Sequence, residues 1–180
     1  LGFSNLYPGG YSEHMVLNEL LAMKVPTGLP HRMAALTEPL AVGVHAVAKS
    51  GVSPGDAALV IGLGPVGLAC IASMKLLGIG PIVGADFSPA RRALAEHLGC
   101  DEVVDPAVET GIDAWRRIDG SKPLVVFEAV GVPGMIEQTM ADNGQRRARG
   151  RQRAAGRCFG NGSRRAGVDQ RIGQRFMHIR

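Results

Sequence analysis

Three glycines in the middle of the chain stand at the spacing G-x-G-x-x-G, in Gly62-Leu63-Gly64-Pro65-Val66-Gly67. Alone the pattern says little, because glycines recur in turns. Here it follows Ala57-Ala58-Leu59-Val60-Ile61, a short all-apolar run of the kind buried on both faces of a parallel sheet, and it leads into a helix-like stretch. In that setting each glycine has a task. Gly62 turns the chain tightly, Gly64 lets an anion approach the backbone with no Cβ in the way, and Gly67 lets the helix lie close to the sheet. Pro65 and Val66 begin that helix, whose unpaired first-turn amides and positive dipole end can hold a pyrophosphate without a basic side chain.

Nineteen residues beyond Gly67, at the end of a second predicted strand, stands Asp86. A carboxylate there can accept hydrogen bonds from both hydroxyls of an adenosine ribose and would repel a 2′-phosphate, which predicts NAD over NADP. Arg91 and Arg92 stand close enough to offset part of that repulsion. Asp86 also has a purely structural reading, as the N-cap of a helix that starts at Pro89.

The elements that must position these residues alternate in type. After the strand 57–61 come a helix from Val66 to Leu77 ending at Gly78, a strand from Pro81 to Asp86, and a helix from Pro89 to Leu98 ending at Gly99. Cys100 to Val104 can supply a third strand, Ile112 to Arg117 a helical turn, Leu124 to Phe127 a fourth strand, and Val132 to Met140 a helix. Such alternation predicts an α/β fold with a doubly wound parallel sheet, right-handed crossovers and helices on both faces. Before it, Gly10 to Val25 reads as short strands broken by turns. Pro30 to Ser50 reads as two helices, the second opening at Pro39 with Glu38 as its cap.

At 180 residues and 46% apolar the chain can build one ordinary domain and part of another. It lacks the roughly 20 unbroken apolar residues of a membrane span. Cys70, Cys100 and Cys158 lie far apart with no C-x-x-C spacing, which argues against a disulfide framework or a zinc cage and suits a reducing cytoplasm. Charge divides the chain in two. Residues 1–140 hold nine basic and fourteen acidic residues, whereas 141–180 hold eleven arginines, two acids, and no Lys or Leu.

The ordered segments Gly9-Gly10-Tyr11-Ser12-Glu13, Thr37-Glu38-Pro39-Leu40-Ala41-Val42-Gly43-Val44-His45-Ala46, Val60 to Leu68 and Phe127-Glu128-Ala129-Val130-Gly131 resemble the zinc-dependent medium-chain dehydrogenases, on the side of the sorbitol, threonine and butanediol enzymes. The resemblance runs from residue 1 to about 140. It implies a Rossmann domain over 51–140, partial, and over 1–50 the C-terminal remnant of a GroES-like β-rich catalytic domain with its linking helix. It also implies oxidation of a secondary alcohol or polyol, or reduction of the matching ketone, with NAD taking the hydride and zinc polarising the oxygen. By the same resemblance Glu38 is the catalytic and zinc-site residue, Val42 lines the nicotinamide pocket, and Ala129 and Val130 pass beside the cofactor; Arg91, by its charge near Asp86, is counted with the cofactor-binding residues. The parent would be a homo-oligomer. The family's other zinc ligands would lie before Leu1, so the chain reads as a fragment. A non-catalytic dinucleotide-binding remnant is the alternative.

Blander readings stand beside these. Glu38 can be a helix cap, His45 a hydrogen-bonded packing residue, and the cysteines inert core residues. His14 takes no chemistry. The Arg-rich stretch 141–180 has no apolar residues at helical or strand spacing and reads as out of frame or disordered, lacking the fifth and sixth strands that the resemblance calls for. A nucleic-acid-binding arm is the competing view, which the absence of an aromatic platform argues against.

Overall fold

The computed structural model describes residues 13–14, 16–135, 158–159 and 174–178, with Met177 the one described side chain of the last two strands. The chain divides into two compact units, one ending at Leu36 and one beginning at Thr37.

In the first unit the described residues hold a 3-10 turn, Glu19–Leu21, and a one-turn helix α1, His31–Ala34. Asn18 caps the former, its side chain accepting from the Leu20 amide at 3.0 Å. The strands expected up to Val25 are absent among these residues. A strand needs a neighbour to take up its alternating N–H and C=O groups, and no described segment ladders with this one; Val16, Leu20 and Met23 stand exposed.

The second unit starts with α2, Thr37–Ser50, followed by β1 (Ala57–Ile61), α3 (Pro65–Leu76), β2 (Ile82–Ala85), α4 (Pro89–His97), β3 (Glu102–Val104), α5 (Gly111–Asp119) and β4 (Leu124–Glu128). Prolines at the first helical positions start α3 and α4, where their missing N–H groups cost nothing. Left-handed Gly78 and Gly99 follow their ends, as the sequence predicts. Sequence puts α2 with the first segment; the structure packs it on α3. Gly43 makes that possible, since a Cβ there would lie 2.5 Å from the Ala69 Cβ and 2.8 Å from the Ala69 carbonyl carbon. The boundary therefore falls after Leu36 rather than after Ser50.

All strand pairings are parallel, in the order β3-β2-β1-β4-β6-β5, where β5 is Cys158–Phe159 and β6 is Gln174–His178. Period-two alternation splits the strands between two cores. Ala58, Val60, Ile82, Val125 and Phe127 face a cluster with Ala46 and Val47 of α2, Cys70, Ile71 and Met74 of α3, and Ala95 of α4. Ala57, Leu59, Val83, Leu124 and Val126 face Ile112, Ala114 and Trp115 of α5. A strand within 141–180 contradicts the expectation for that stretch: β6 lies alongside β4 with Phe127 opposite the buried Met177. Parallel pairing runs through the main chain, so five residues with two apolar side chains suffice where composition shows mostly arginine. Residues 136–140 of the helix expected from Val132 lie outside the described residues.

Candidate coenzyme site

The chain runs outward from β1 to β2 and β3, then returns to β4 on the other flank of β1. The sheet therefore has its switch point at the carboxyl ends of β1 and β4, where an α/β sheet opens a crevice. The glycine loop sits there. Gly62 has φ +90°, a conformation that costs glycine nothing, and its amide donates to the Ala85 carbonyl at 2.9 Å, tying the turn to the end of β2. On the far flank the Ala129 amide donates to the Ile61 carbonyl at 2.9 Å.

The three glycines meet different surroundings. A Cβ on Gly62 would lie 2.7 Å from the Val130 Cγ2 and 3.1 Å from the Ala129 carbonyl. One on Gly67 would collide with the Gly62 carbonyl oxygen and lie 3.3 Å from the Val60 Cγ1. One on Gly64 would meet nothing within 4 Å. Gly62 and Gly67 thus close the loop onto the sheet, and Gly64, the N-cap of α3, is where its backbone is left open. Pro65 is exposed and Val66 half-buried on the first turn of α3, whose leading amides have no intrahelical acceptor.

Asp86 lies at the mouth of this opening and is already engaged. Its Oδ2 accepts the Leu63 amide and its Oδ1 the Ser88 amide, each at 2.8 Å. The structural role is therefore an anchor of the glycine loop, not the cap of α4, whose N-cap is Ser88. Burial pushes this carboxyl up, but the Ser88 and Leu63 amides and the Arg91 charge outweigh it and hold it below 3.8. Arg91 approaches Oδ2 at 3.6 Å and is largely exposed. Arg92 is committed elsewhere, donating to the carbonyls of Asp86 (2.7 Å) and Phe87 (3.0 Å) and to Asp105 (3.0 Å).

Ala129 and Val130 wall the Gly62 turn. Val42 is half-buried on α2. Glu38 is exposed in the first turn of α2, one residue inside a helix that starts at Thr37, so it is not the cap that sequence suggests. His45 is exposed, not packed. Cys70 and Cys100 are buried thiols that burial pushes up to about 12, which removes them from thiolate chemistry. Sequence reasoning missed Glu128, 1% exposed at the end of β4, whose Oε1 accepts the amides of Val130 (2.7 Å) and Gly131 (2.8 Å). It also missed Phe87, 67% exposed directly after Asp86. A charged residue ending an otherwise apolar strand was the available signal for the first.

Residues 65–142 match the family described as zinc-binding dehydrogenase. The chain is 38% identical to (R,R)-butanediol dehydrogenase of Bacillus subtilis over 133 residues, 73% of this chain and 38% of that protein. Residues 65–142 thus belong with the zinc-dependent medium-chain dehydrogenases. Among solved members, L-idonate 5-dehydrogenase of Escherichia coli superposes with a TM-score of 0.60 at 25% identity, over 86% of this chain and 43% of that one. A zinc-binding dehydrogenase of Sinorhizobium meliloti, bound to NADP, does so with a TM-score of 0.56 at 27% identity, over 63% and 34%. The chain spans less than half the length of each.

The described residues fit the two groups the family uses unequally. An open backbone at Gly64, a helix N-terminus and a carboxylate at the mouth suit a dinucleotide. For zinc, the described residues hold no group of three or more His, Cys, Asp or Glu side chains able to bind a metal. They do not make a metal centre.

Proposed function

We propose that the chain supplies the coenzyme half of an NAD-dependent alcohol or polyol dehydrogenase, which passes hydride between a secondary alcohol and NAD. The observation that carries this reading is the open space over Gly64 between two glycines that could not be replaced without collision. When bound, NAD supplies the nicotinamide carbon that accepts or returns the hydride. The chain's own residues bind and orient it. First-turn amides of α3 hold the pyrophosphate, with Pro65 and Val66 shaping the rim. Asp86 takes the adenosine ribose with the lone pairs its two amide bonds leave free. Phe87 offers apolar surface beside that sugar, Ala129 and Val130 pass beside the cofactor on the opposite wall, Val42 lies on the nicotinamide side, and Arg91 lies over the ribose edge.

Asp86 also supports NAD over NADP, because a 2′-phosphate placed there meets a carboxylate held ionised by its partners. Glu38 would belong to the family's zinc centre, which the described residues by themselves do not make. The assembly we propose is a cytoplasmic homo-oligomer acting on a small alcohol or ketone. Two thiols unpaired and buried suit a reducing compartment. No helix among the described residues is long and apolar enough to cross a membrane.

Titration calorimetry of the folded chain with NAD and NADP tests the reading, together with NAD reduction followed by absorbance over a panel of vicinal diols and polyols. One NAD site, with NADP weaker, is the expected result. A folded chain that gives no heat with either coenzyme refutes it.

A further inference from the structure

Asp86 ties one wall of the glycine loop to the end of β2. The other wall is the segment Ala129-Val130-Gly131, and what holds it is a second carboxylate. Glu128 is as buried as any core residue, yet it ends a strand whose other members, Leu124 to Phe127, are all apolar. An ionisable group in that position has to be compensated by nearby donors. Part of that compensation is local: Oε1 accepts both the Val130 amide at 2.7 Å and the Gly131 amide at 2.8 Å. Gly131 adopts φ +78°, the left-handed turn that brings its own amide and the preceding one back toward the strand end. The result fixes where Val130 stands. Its Cγ2 lies 2.7 Å and the Ala129 carbonyl 3.1 Å from the position a Gly62 Cβ would take, so the 129–131 loop leaves no space for a side chain at the glycine turn.

Resting on the reading of this crevice as a dinucleotide site, we infer that Glu128 is a positioning residue for coenzyme binding. By gathering two amides of the 129–131 loop it presses that loop against Gly62 and sets the shape in which α3 meets the pyrophosphate. It acts through Val130 and the glycine turn and touches no reacting atom. Two carboxylates at the ends of the strands on either side of β1, Asp86 by way of Leu63 and Glu128 by way of Val130 and Gly131, thus clamp one turn from both flanks.

The clamp needs an acceptor oxygen at one place and not a charge. Glu128→Gln keeps that oxygen, whereas Glu128→Met fills the same volume without it. Two measurements on the whole chain separate the outcomes: NAD affinity by calorimetry, and amide hydrogen exchange of the coenzyme-free protein. The expected result is that Glu128→Met weakens NAD binding about tenfold or more, the scale of a lost hydrogen bond to a carboxylate, and Glu128→Gln restores it to within a few-fold. Exchange in Glu128→Met should rise at Val130, Gly131 and the Gly62–Leu63 turn, with the amides of β1 and α5 unchanged.

Glu128→Met that binds NAD like the parent, or exchange that rises uniformly over the sheet, overturns the inference. So does loss of the fold in both variants, which would make Glu128 a residue of core stability only. Should the parent chain bind no dinucleotide, the site reading fails by itself. The exchange pattern still decides whether Glu128 holds the loop.

Discussion

Replacing Gly64 by alanine should abolish tight coenzyme binding while leaving the fold almost untouched. Gly64 has φ −74°, which alanine adopts without strain, and a Cβ there meets nothing within 4 Å. Two small effects on stability oppose each other. Alanine is a poorer N-cap than glycine by up to about 1 kcal/mol, and its stiffer unfolded chain returns about 0.4–1 kcal/mol. The net change should stay within about 1 kcal/mol, or about 2–4 °C in Tm for a chain of this size. Binding is affected far more, because the added methyl occupies the space through which a diphosphate reaches the amides of α3. Losing one charge-assisted hydrogen bond costs about 1.5–3 kcal/mol, which weakens NAD about 10- to 150-fold. Gly67→Ala is the control with the opposite signature. Its methyl would press on the Gly62 carbonyl, part of the backbone and not a flexible side-chain end, so stability should fall by about 1–3 kcal/mol along with affinity. Urea melts and NAD titrations on both variants supply the comparison. If Gly64→Ala binds NAD like the parent, the pyrophosphate does not pass over Gly64 and the proposed site is wrong.

Further outcomes follow from the same geometry. Asp86→Ala should weaken NAD and NADP together instead of switching preference, because it also frees the Leu63 amide; a clean gain of NADP affinity in parallel titrations would contradict the anchoring role. Since the folded-state value of Asp86 lies below 3.8, its stabilising contribution is complete above about pH 5 and lost as the pH falls through that lower value. The stability gap between the parent and Asp86→Asn should close on acidification, which denaturant melts at stepped pH would register. Arg91→Ala should change NAD affinity by no more than about fivefold, as expected for an exposed pair, while Arg92→Ala should lower Tm through its lost contacts to Asp86, Phe87 and Asp105. Gly43→Ala should force α2 off α3, costing about 1–3 kcal/mol, because backbone atoms of Ala69 and Cys70 stand under 3 Å from its Cβ. An unchanged melting curve would show that the two helices are free to separate.

Alternation of short apolar runs with capped helices determined the α/β order from Ala57 to Phe127, because each of those segments carries its own periodicity and its own punctuation at Pro65, Gly78, Pro89 and Gly99. The glycine spacing and the acid after the second strand were equally legible, since binding a diphosphate imposes local demands on backbone and charge. What could not be read were facts that depend on a partner distant in sequence. The stretch up to Val25 has strand-like residues, but a strand exists only where another chain segment takes its hydrogen bonds. Gln174–His178 carries no distinguishing pattern, yet pairs with β4 through the main chain. Gly43 looked like any helical glycine until α3 lay across it, and Glu128 stood just past the predicted fourth strand until Gly131 turned two amides back onto it. Tertiary structure decided these cases, because packing and pairing are properties of two segments and a sequence displays its segments one at a time.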